Sequence, residues 1–269
     1  MEPFSIGAST GKTRRINRLF PKGRPVVVAA LDDALIAGPY GISDLKSKIR
    51  FIGASDADAV LAHPGLLRWN PEELASKSII ANVTASLKGK QHVVKEQVIP
   101  VDLAINLGAD AIACHANIYN SRELEMIRTL GRVSDDCVRL GFPLLAIVYP
   151  RDFGESSDNN YEDERESSPQ SYLARLYHCV QVAKDMGADF VKTHLVDDER
   201  AMKQLVQDFD PLPILFSGGP VVQDALLKKR CLIVAKSRAA GVSFGRNIFM
   251  KDDPQTAIRS IRSALVGQR

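Results

Sequence analysis

Eight short apolar runs, each followed by a longer amphipathic or polar stretch, recur along the chain, and this alternation limits the folds open to it. The runs are PVVVAALDD (25–33), ADAVLAHPG (57–65), SIIANVTAS (78–86), ADAIACHAN (109–117), PLLAIVYP (143–150), ADFVKTH (188–194), PILFSGG (213–219) and GVSFGRN (241–247). Each is apolar on consecutive residues rather than on every second one, as a strand buried on both faces requires. Helix-like segments separate them, among them SRELEMIRTLGRVSDDCVRLG (121–141), SPQSYLARLYHCVQVAKDMG (168–187) and DPQTAIRSIRSAL (253–265). Asn120 with Glu123 three residues on reads as a capping-box start, and Gly141 and Gly187 as C-terminal stops. Several helices run into Gly-Ala-Asp before the next apolar run, at 108–110 and 187–189, with a variant at Ser55-Asp56-Ala57-Asp58. The reading is an α/β protein, a single-domain (β/α)8 TIM barrel. The alternative is a doubly wound open sheet. Such a sheet more often carries a Gly-rich nucleotide turn after its first strand, and here that strand ends in Leu31-Asp32-Asp33 with no G-x-G-x-x-G.

The 269 residues suit one barrel, and 45% hydrophobic with 25% charged residues is enough apolar material for a full core. That excludes a disordered chain, a fibre and a disulfide-stapled miniprotein. The formal charge of +3 is too slight for a nucleic-acid platform, though it suits a small anionic ligand. Cys114, Cys137, Cys179 and Cys231 lie far apart, without zinc-like spacing, and read as buried free thiols of a reducing compartment. The N-terminus lacks an apolar run of signal-peptide length, and no stretch approaches the roughly 20 apolar residues of a membrane span. The expectation is therefore a cytoplasmic protein with no membrane partner and no nucleic-acid partner. Residues 1–11 read as a flexible arm and 12–269 as the barrel. RDFGESSDNNYEDERESSPQ (151–170), after the fifth strand, reads as an unpacked acidic loop or lid, and LKGKQHVVK (87–95) as a basic loop after the third.

A barrel of this kind builds its site at the C-terminal ends of its strands. Those ends carry Asp32 and Asp33, His63, Asn82 and Thr84, His115 and Asn117, Tyr149, Lys192 and His194, Ser217-Gly218-Gly219, and Gly245-Arg246-Asn247. Lys192 stands out, because it lies inside an apolar strand. It is either an ion-pair partner or a desolvated amine, uncharged often enough near pH 7 to attack a carbonyl and form a Schiff base. Tyr149 can give or take a proton, or can simply be a half-buried tyrosine with a bonded hydroxyl. Asp32 can act as acid/base or orient the lysine. Asp33 can do so instead, facing the other way on a strand. FSGGP (216–220) and FGRNIF (244–249), at the seventh and eighth strands, pair glycine-exposed backbone with Arg246 and read as a phosphate cradle. His63, His115 and His194 lack metal-site spacing and read as polar lining or as orienting groups, so no metal is expected.

Taken together, LDDALIAGP (31–39), VLAHPGLLR (60–68), CHANIYNS (114–121), VYPRD (148–152), ADFVKTH (188–194), FSGGP (216–220) and FGRNIF (244–249) resemble the archaeal-type class I aldolase family. That family includes fructose-bisphosphate aldolases and 2-amino-3,7-dideoxy-D-threo-hept-6-ulosonate synthase. The resemblance spans about residues 12–266. It implies a TIM barrel with Lys192 as Schiff-base lysine, Tyr149 as acid/base and Asp32 as carboxylate. Asp33, His115, Ser217, Gly218, Gly219, Gly245 and Arg246 then face the substrate and its phosphate. It also implies a homo-oligomer, often a decamer, with no cofactor. Two departures matter. Asp32-Asp33-Ala34 stands where the family usually has Asp-His-Gly, and Ile147 stands two residues before Tyr149, where the archaeal fructose-bisphosphate aldolases carry Trp. The second tilts the reading toward biosynthesis: a dihydroxyacetone-phosphate-like ketose joined to an aldehyde such as aspartate semialdehyde. Fructose-bisphosphate cleavage proper, a coenzyme A-dependent thiolase acting on a phosphorylated dione, and a non-covalent phosphate-binding barrel are the alternatives.

Overall fold

The computed structural model describes residues 10–21, 24–32, 45–87, 93–153 and 161–267. Eight parallel strands close into a barrel: β1 (Val26–Ala30), β2 (Ala59–Ala62), β3 (Ser78–Asn82), β6 (Ala111–Ile118), β7 (Leu144–Pro150), β8 (Phe190–His194), β9 (Ile214–Ser217) and β10 (Gly241–Phe244). A small antiparallel hairpin, β4 (Thr84–Ala85) with β5 (Glu96–Gln97), follows the third barrel strand. Each of the eight apolar runs falls on a barrel strand, β6 reaching one residue past its run to Ile118, and β1 pairs with both β2 and β10 to complete the ring.

The two-sided burial has a simple cause. Side chains alternate along a strand, and each face meets its own core. Val26, Val28 and Ala30 of β1 join Leu61, Ile80, Ala113, Leu145, Ile147, Phe190 and Leu215 inside the barrel. Val27 and Ala29 point outward into the layer beneath the helices. That outer layer is supplied by α5 (Glu123–Leu140), α7 (Pro169–Asp185) and α9 (Asp224–Ser237), among others. Gly141 ends α5 in the left-handed conformation at φ 68°. The start of α5 departs from a capping box. The Asn120 side chain accepts from the Arg122 N–H, and Glu123 reaches back one residue further, to the Tyr119 N–H at 2.6 Å.

The aspartates that close the helix-to-strand joins share one task. Asp58, Asp110 and Asp189 each accept a backbone N–H from the preceding barrel strand: Val27 at 2.8 Å, Ile79 at 2.9 Å and Leu144 at 2.8 Å. Each carboxylate also meets a cation, and two of these come from α1 (Thr10–Leu19): Arg18 at 3.0 Å from Asp110 and Lys12 at 2.8 Å from Asp189. This helix closes the floor of the barrel. Leu19 lies in the interior cluster, and the Phe20 ring packs edge-on against buried Phe190 with centroids 5.1 Å apart. Residues 10 and 11, read as part of the arm, thus belong to a helix with an anchored face, while 1–9 lie outside the described residues.

The acidic insertion also differs from its expected form. Residues 154–160 lie outside the described residues, but α6 (Glu162–Ser167) and the start of α7 occupy its second half. Tertiary partners hold this polar stretch. The Tyr161 hydroxyl donates to the Tyr119 carbonyl at 2.8 Å, Arg175 binds Glu164 at 2.5 Å, and Arg165 donates to the Leu195 carbonyl.

Candidate active site

Because side chains alternate, each barrel strand presents every second residue to the interior, and the polar positions stack at its C-terminal end. On β8 the interior series runs Phe190, Lys192, His194. On β7 it runs Leu145, Ile147, Tyr149, and on β1 it runs Val26, Val28, Ala30 before reaching Asp32. These ends enclose a small cavity of about 50 Å³. Lys192, Tyr149 and Asp32 all line it, with His115, Arg151, His194, Ser217, Gly218, Gly219, Ser243, Gly245 and Arg246. Lys192 is 6% exposed. Asp33 lies outside the described residues. A wider groove of about 870 Å³ runs between the hairpin and α5, but none of the three residues reaches it.

Asp32 is held by a hydrogen-bonded path across the barrel wall. The Asn82 side-chain amide donates to its carboxylate at 2.9 Å, and the Thr84 hydroxyl donates to the Asn82 side-chain oxygen at 2.8 Å. The Thr84 oxygen in turn accepts the His115 backbone N–H at 2.8 Å. His63 braces the same corner, its ring nitrogens 3.0 and 3.2 Å from the carbonyl oxygens of Asn82 and Asp32.

Two histidines enclose Tyr149. His115 meets the Tyr149 ring edge-on, centroids 5.2 Å apart, and His194 stacks on it at 4.2 Å. Burial, then the charges of Lys95, Arg151 and Lys192, hold the His115 imidazole well below its ordinary pKa, against a smaller opposing effect of the Asn117 hydrogen bond. Burial, then Arg151, Arg165, Arg246 and Lys192, do the same to His194. Both rings are therefore neutral near pH 7. His115, expected to face the substrate and its phosphate, lines the same cavity as the glycine corner and flanks Tyr149 there.

The glycine corner is pinned from one side chain. Asn247 donates to the carbonyls of Gly218 and Pro220 at 3.1 and 2.9 Å and accepts the Val222 N–H at 3.0 Å. Gly219 takes φ +64°, where side chains are strained. A Cβ on Gly245 would stand 2.7 Å from the Ala30 carbonyl oxygen, so a bare backbone is needed beside β1. Below this corner, Ser217 and Ser243 are register partners on adjacent strands, and both hydroxyls are buried without a hydrogen-bond partner. Buried orphan hydroxyls on a cavity wall are open positions for ligand oxygen atoms. The cavity walls carry Lys192, Arg151 and Arg246 against the carboxylate of Asp32, a positive surround suited to a phosphate.

Sequence reasoning named Lys192, Tyr149, Asp32, His115, Ser217, Gly218, Gly219, Gly245 and Arg246, and the structure brings all nine to one cavity. It overlooked Ser243 and Arg151. Counting in twos back from Gly245 and on from Tyr149 reaches both.

A closed parallel barrel with a buried lysine, a tyrosine and an aspartate facing a cationic, glycine-lined corner has the parts of an enzyme that condenses an amine with a carbonyl substrate. Residues 26–251 match the model of the DeoC/LacD family aldolases, and the chain belongs to this aldolase family. It is 31% identical to the 2-amino-3,7-dideoxy-D-threo-hept-6-ulosonate synthase of Halobacterium salinarum, over 95% of this chain and 91% of that protein. It is 32% identical to the 2-amino-4,5-dihydroxy-6-oxo-7-(phosphonooxy)heptanoate synthase of Streptomyces griseus, over 84% and 80% respectively. An archaeal fructose 1,6-bisphosphate aldolase superposes with a TM-score of 0.79 at 22% identity, covering 94% of this chain and 98% of that one. A second such structure, with its catalytic lysine bound to a carbinolamine intermediate, gives 0.79 at 21% identity, over 94% and 99%.

Proposed function

We propose that Lys192 is the Schiff-base lysine and that the enzyme joins a phosphorylated ketose of the dihydroxyacetone phosphate type to an aldehyde such as aspartate semialdehyde. The observation that carries this reading is the shared cavity: a buried amine, Tyr149 and Asp32 face a cationic, glycine-lined corner. The names of the relatives support it, since both are synthases of seven-carbon amino-keto products, one of them carrying a phosphate.

Attack requires the uncharged amine. Lys192 is buried in a cavity that also holds Asp32 and Tyr149, groups able to take up its proton. The amine adds to the ketone carbon, and the ketone oxygen takes up a proton to give a carbinolamine. Loss of water leaves an iminium ion. A proton then leaves the neighbouring carbon, and its electrons move into the iminium to form an enamine. The enamine carbon attacks the aldehyde, and the new alkoxide takes a proton. Tyr149 and Asp32 carry these protons. Addition of water to the resulting iminium then releases the product and returns the amine. Ser217, Gly218, Gly219, Gly245 and Arg246 hold the phosphate, which fixes the ketone over Lys192.

The chain acts as a homo-oligomer, with a decamer the form its family resemblance favours, and Trp69, 81% exposed, is a candidate contact. Light scattering of the purified chain measures the assembly. The reducing cytoplasm suits its four buried free cysteines. Among the described residues no helix is long and apolar enough to cross a membrane. Incubation with panels of phosphorylated ketoses and aldehydes, with product masses read after each pairing, tests the substrate assignment. Condensation with aspartate semialdehyde supports it. Turnover confined to fructose bisphosphate cleavage, or dependent on coenzyme A, overturns it.

A further inference from the structure

We infer that His194, fixed by Tyr172, donates a hydrogen bond to an uncharged substrate oxygen next to the carbon held by Lys192. This rests on the Schiff-base reading of Lys192 and adds a binding group to it.

His194 lies one interior position beyond Lys192 on β8, toward the mouth, and its ring lines the cavity. Its Nδ1 is 2.5 Å from the hydroxyl of Tyr172, a fully buried residue of α7. A phenol O–H is a better donor than its oxygen is an acceptor, so Tyr172 donates and Nδ1 accepts. The neutral ring then carries its single proton on Nε2. The bond to Tyr172 is made at Nδ1, and Nε2 is the ring nitrogen left for a ligand. The stack on Tyr149 and the bond to Tyr172 leave the ring little freedom to turn.

The surroundings select the ligand atom. Ser217, in register with His194, begins the phosphate side of the cavity, and Tyr149 begins the proton-transfer side. A donor between them meets the oxygens that lie between the phosphate and the reacting carbon. A phosphate oxygen is better served by Arg246, whereas a neutral N–H suits a carbonyl or hydroxyl oxygen. Tyr172 does not line the cavity and is a positioning residue.

The test compares His194→Phe, His194→Gln and Tyr172→Phe in the full chain. Phenylalanine keeps an aromatic face on Tyr149 but has no donor. Glutamine brings an amide N–H near the place of Nε2. His194→Phe is expected to lower kcat/KM for the phosphorylated ketose roughly 10- to 100-fold, with affinity for inorganic phosphate, read by thermal shift, unchanged. His194→Gln is expected to recover most of that loss, and Tyr172→Phe to fall between the two. Wild-type kcat/KM in His194→Phe, an equal loss of phosphate affinity, or His194→Gln as impaired as His194→Phe would each overturn the inference. If His194→Phe does not fold by circular dichroism, Tyr172→Phe decides, and wild-type kcat/KM there overturns the inference. A borohydride adduct on Lys192 of the wild type separates the two readings: its absence removes the lysine assignment itself, whereas its presence beside an unimpaired His194→Phe removes the donor role alone.

Discussion

The ring of His194 lies 11° from parallel with that of Tyr149, at a centroid distance of 4.2 Å, while His115 closes on the same tyrosine edge-on at 89°. Tyr149 is thus oriented through its ring by two histidines. Tyr149→Phe keeps both ring contacts. Its melting temperature should stay within a few degrees of wild type, and kcat should fall by about 100-fold or more, the scale of a lost acid/base group. Borohydride should still trap substrate on the enzyme. Calorimetry and steady-state kinetics check the two halves of this expectation, and a kcat near wild type would remove Tyr149 from proton transfer.

Ser243 is 1% exposed, and its hydroxyl is buried without a partner. Such a group destabilises the unliganded fold and is repaid only when a ligand oxygen meets it. Ser243→Ala should therefore raise unliganded stability by about 1 kcal/mol and weaken binding of the phosphorylated donor several-fold. Thermal denaturation with and without inorganic phosphate reads both effects. A hydroxyl with a purely structural role would give lower stability and unchanged binding.

At the opposite end of the barrel, burial raises the pKa of Asp58, but hydrogen bonds from Arg24, Arg262 and the Val27 N–H outweigh it and hold the carboxyl below its ordinary value. A depressed folded pKa contributes stability above the unfolded value of about 4, and that stability is lost as pH falls through the folded value. Asp58→Asn should cost about 2 to 4 kcal/mol at pH 7, because it leaves two arginines without their carboxylate. The gap between wild type and variant should close as pH falls below about 4. Urea titrations at pH 7, 5 and 3 measure it, and a gap independent of pH would contradict the assignment.

Two glycines of the proposed phosphate corner should respond differently to alanine. At Gly245 the new Cβ meets the fixed backbone carbonyl of Ala30, so β10 must move from β1, and both folding stability and donor binding should drop. At Gly219 nothing stands within 4 Å, and the cost is the strained φ of about 1 to 2 kcal/mol, with binding reduced less. Donor KM and melting temperature of the two variants check the order. Equal effects would show that close approach to β1 is not what Gly245 serves.

The barrel was legible because both faces of each strand are buried, which prints continuous apolar runs such as Val26–Ala30 and Leu144–Val148. Lys192 was legible for the opposite reason, as a charge inside such a run. Ser243 was hidden: between Val242 and Phe244 it reads as an ordinary strand residue, and having no partner is a property of the assembled wall. The role of His194 was equally out of reach, since Tyr172 comes from a helix 22 positions earlier in the chain. The hairpin of β4 and β5 has strands of two residues, too short for any periodicity. Helix α6 is acid-rich and held by Arg175 and the Leu195 carbonyl, contacts that composition does not encode.

The central claim is that one nitrogen, the Nζ of Lys192, condenses with the ketone. Sodium borohydride added during turnover of a phosphorylated ketose reduces the imine to a stable secondary amine, and peptide mass spectrometry locates it. The expected result is a single adduct on the peptide containing Lys192, absent from Lys192→Met. An adduct on a different lysine, or turnover with none, would contradict the account.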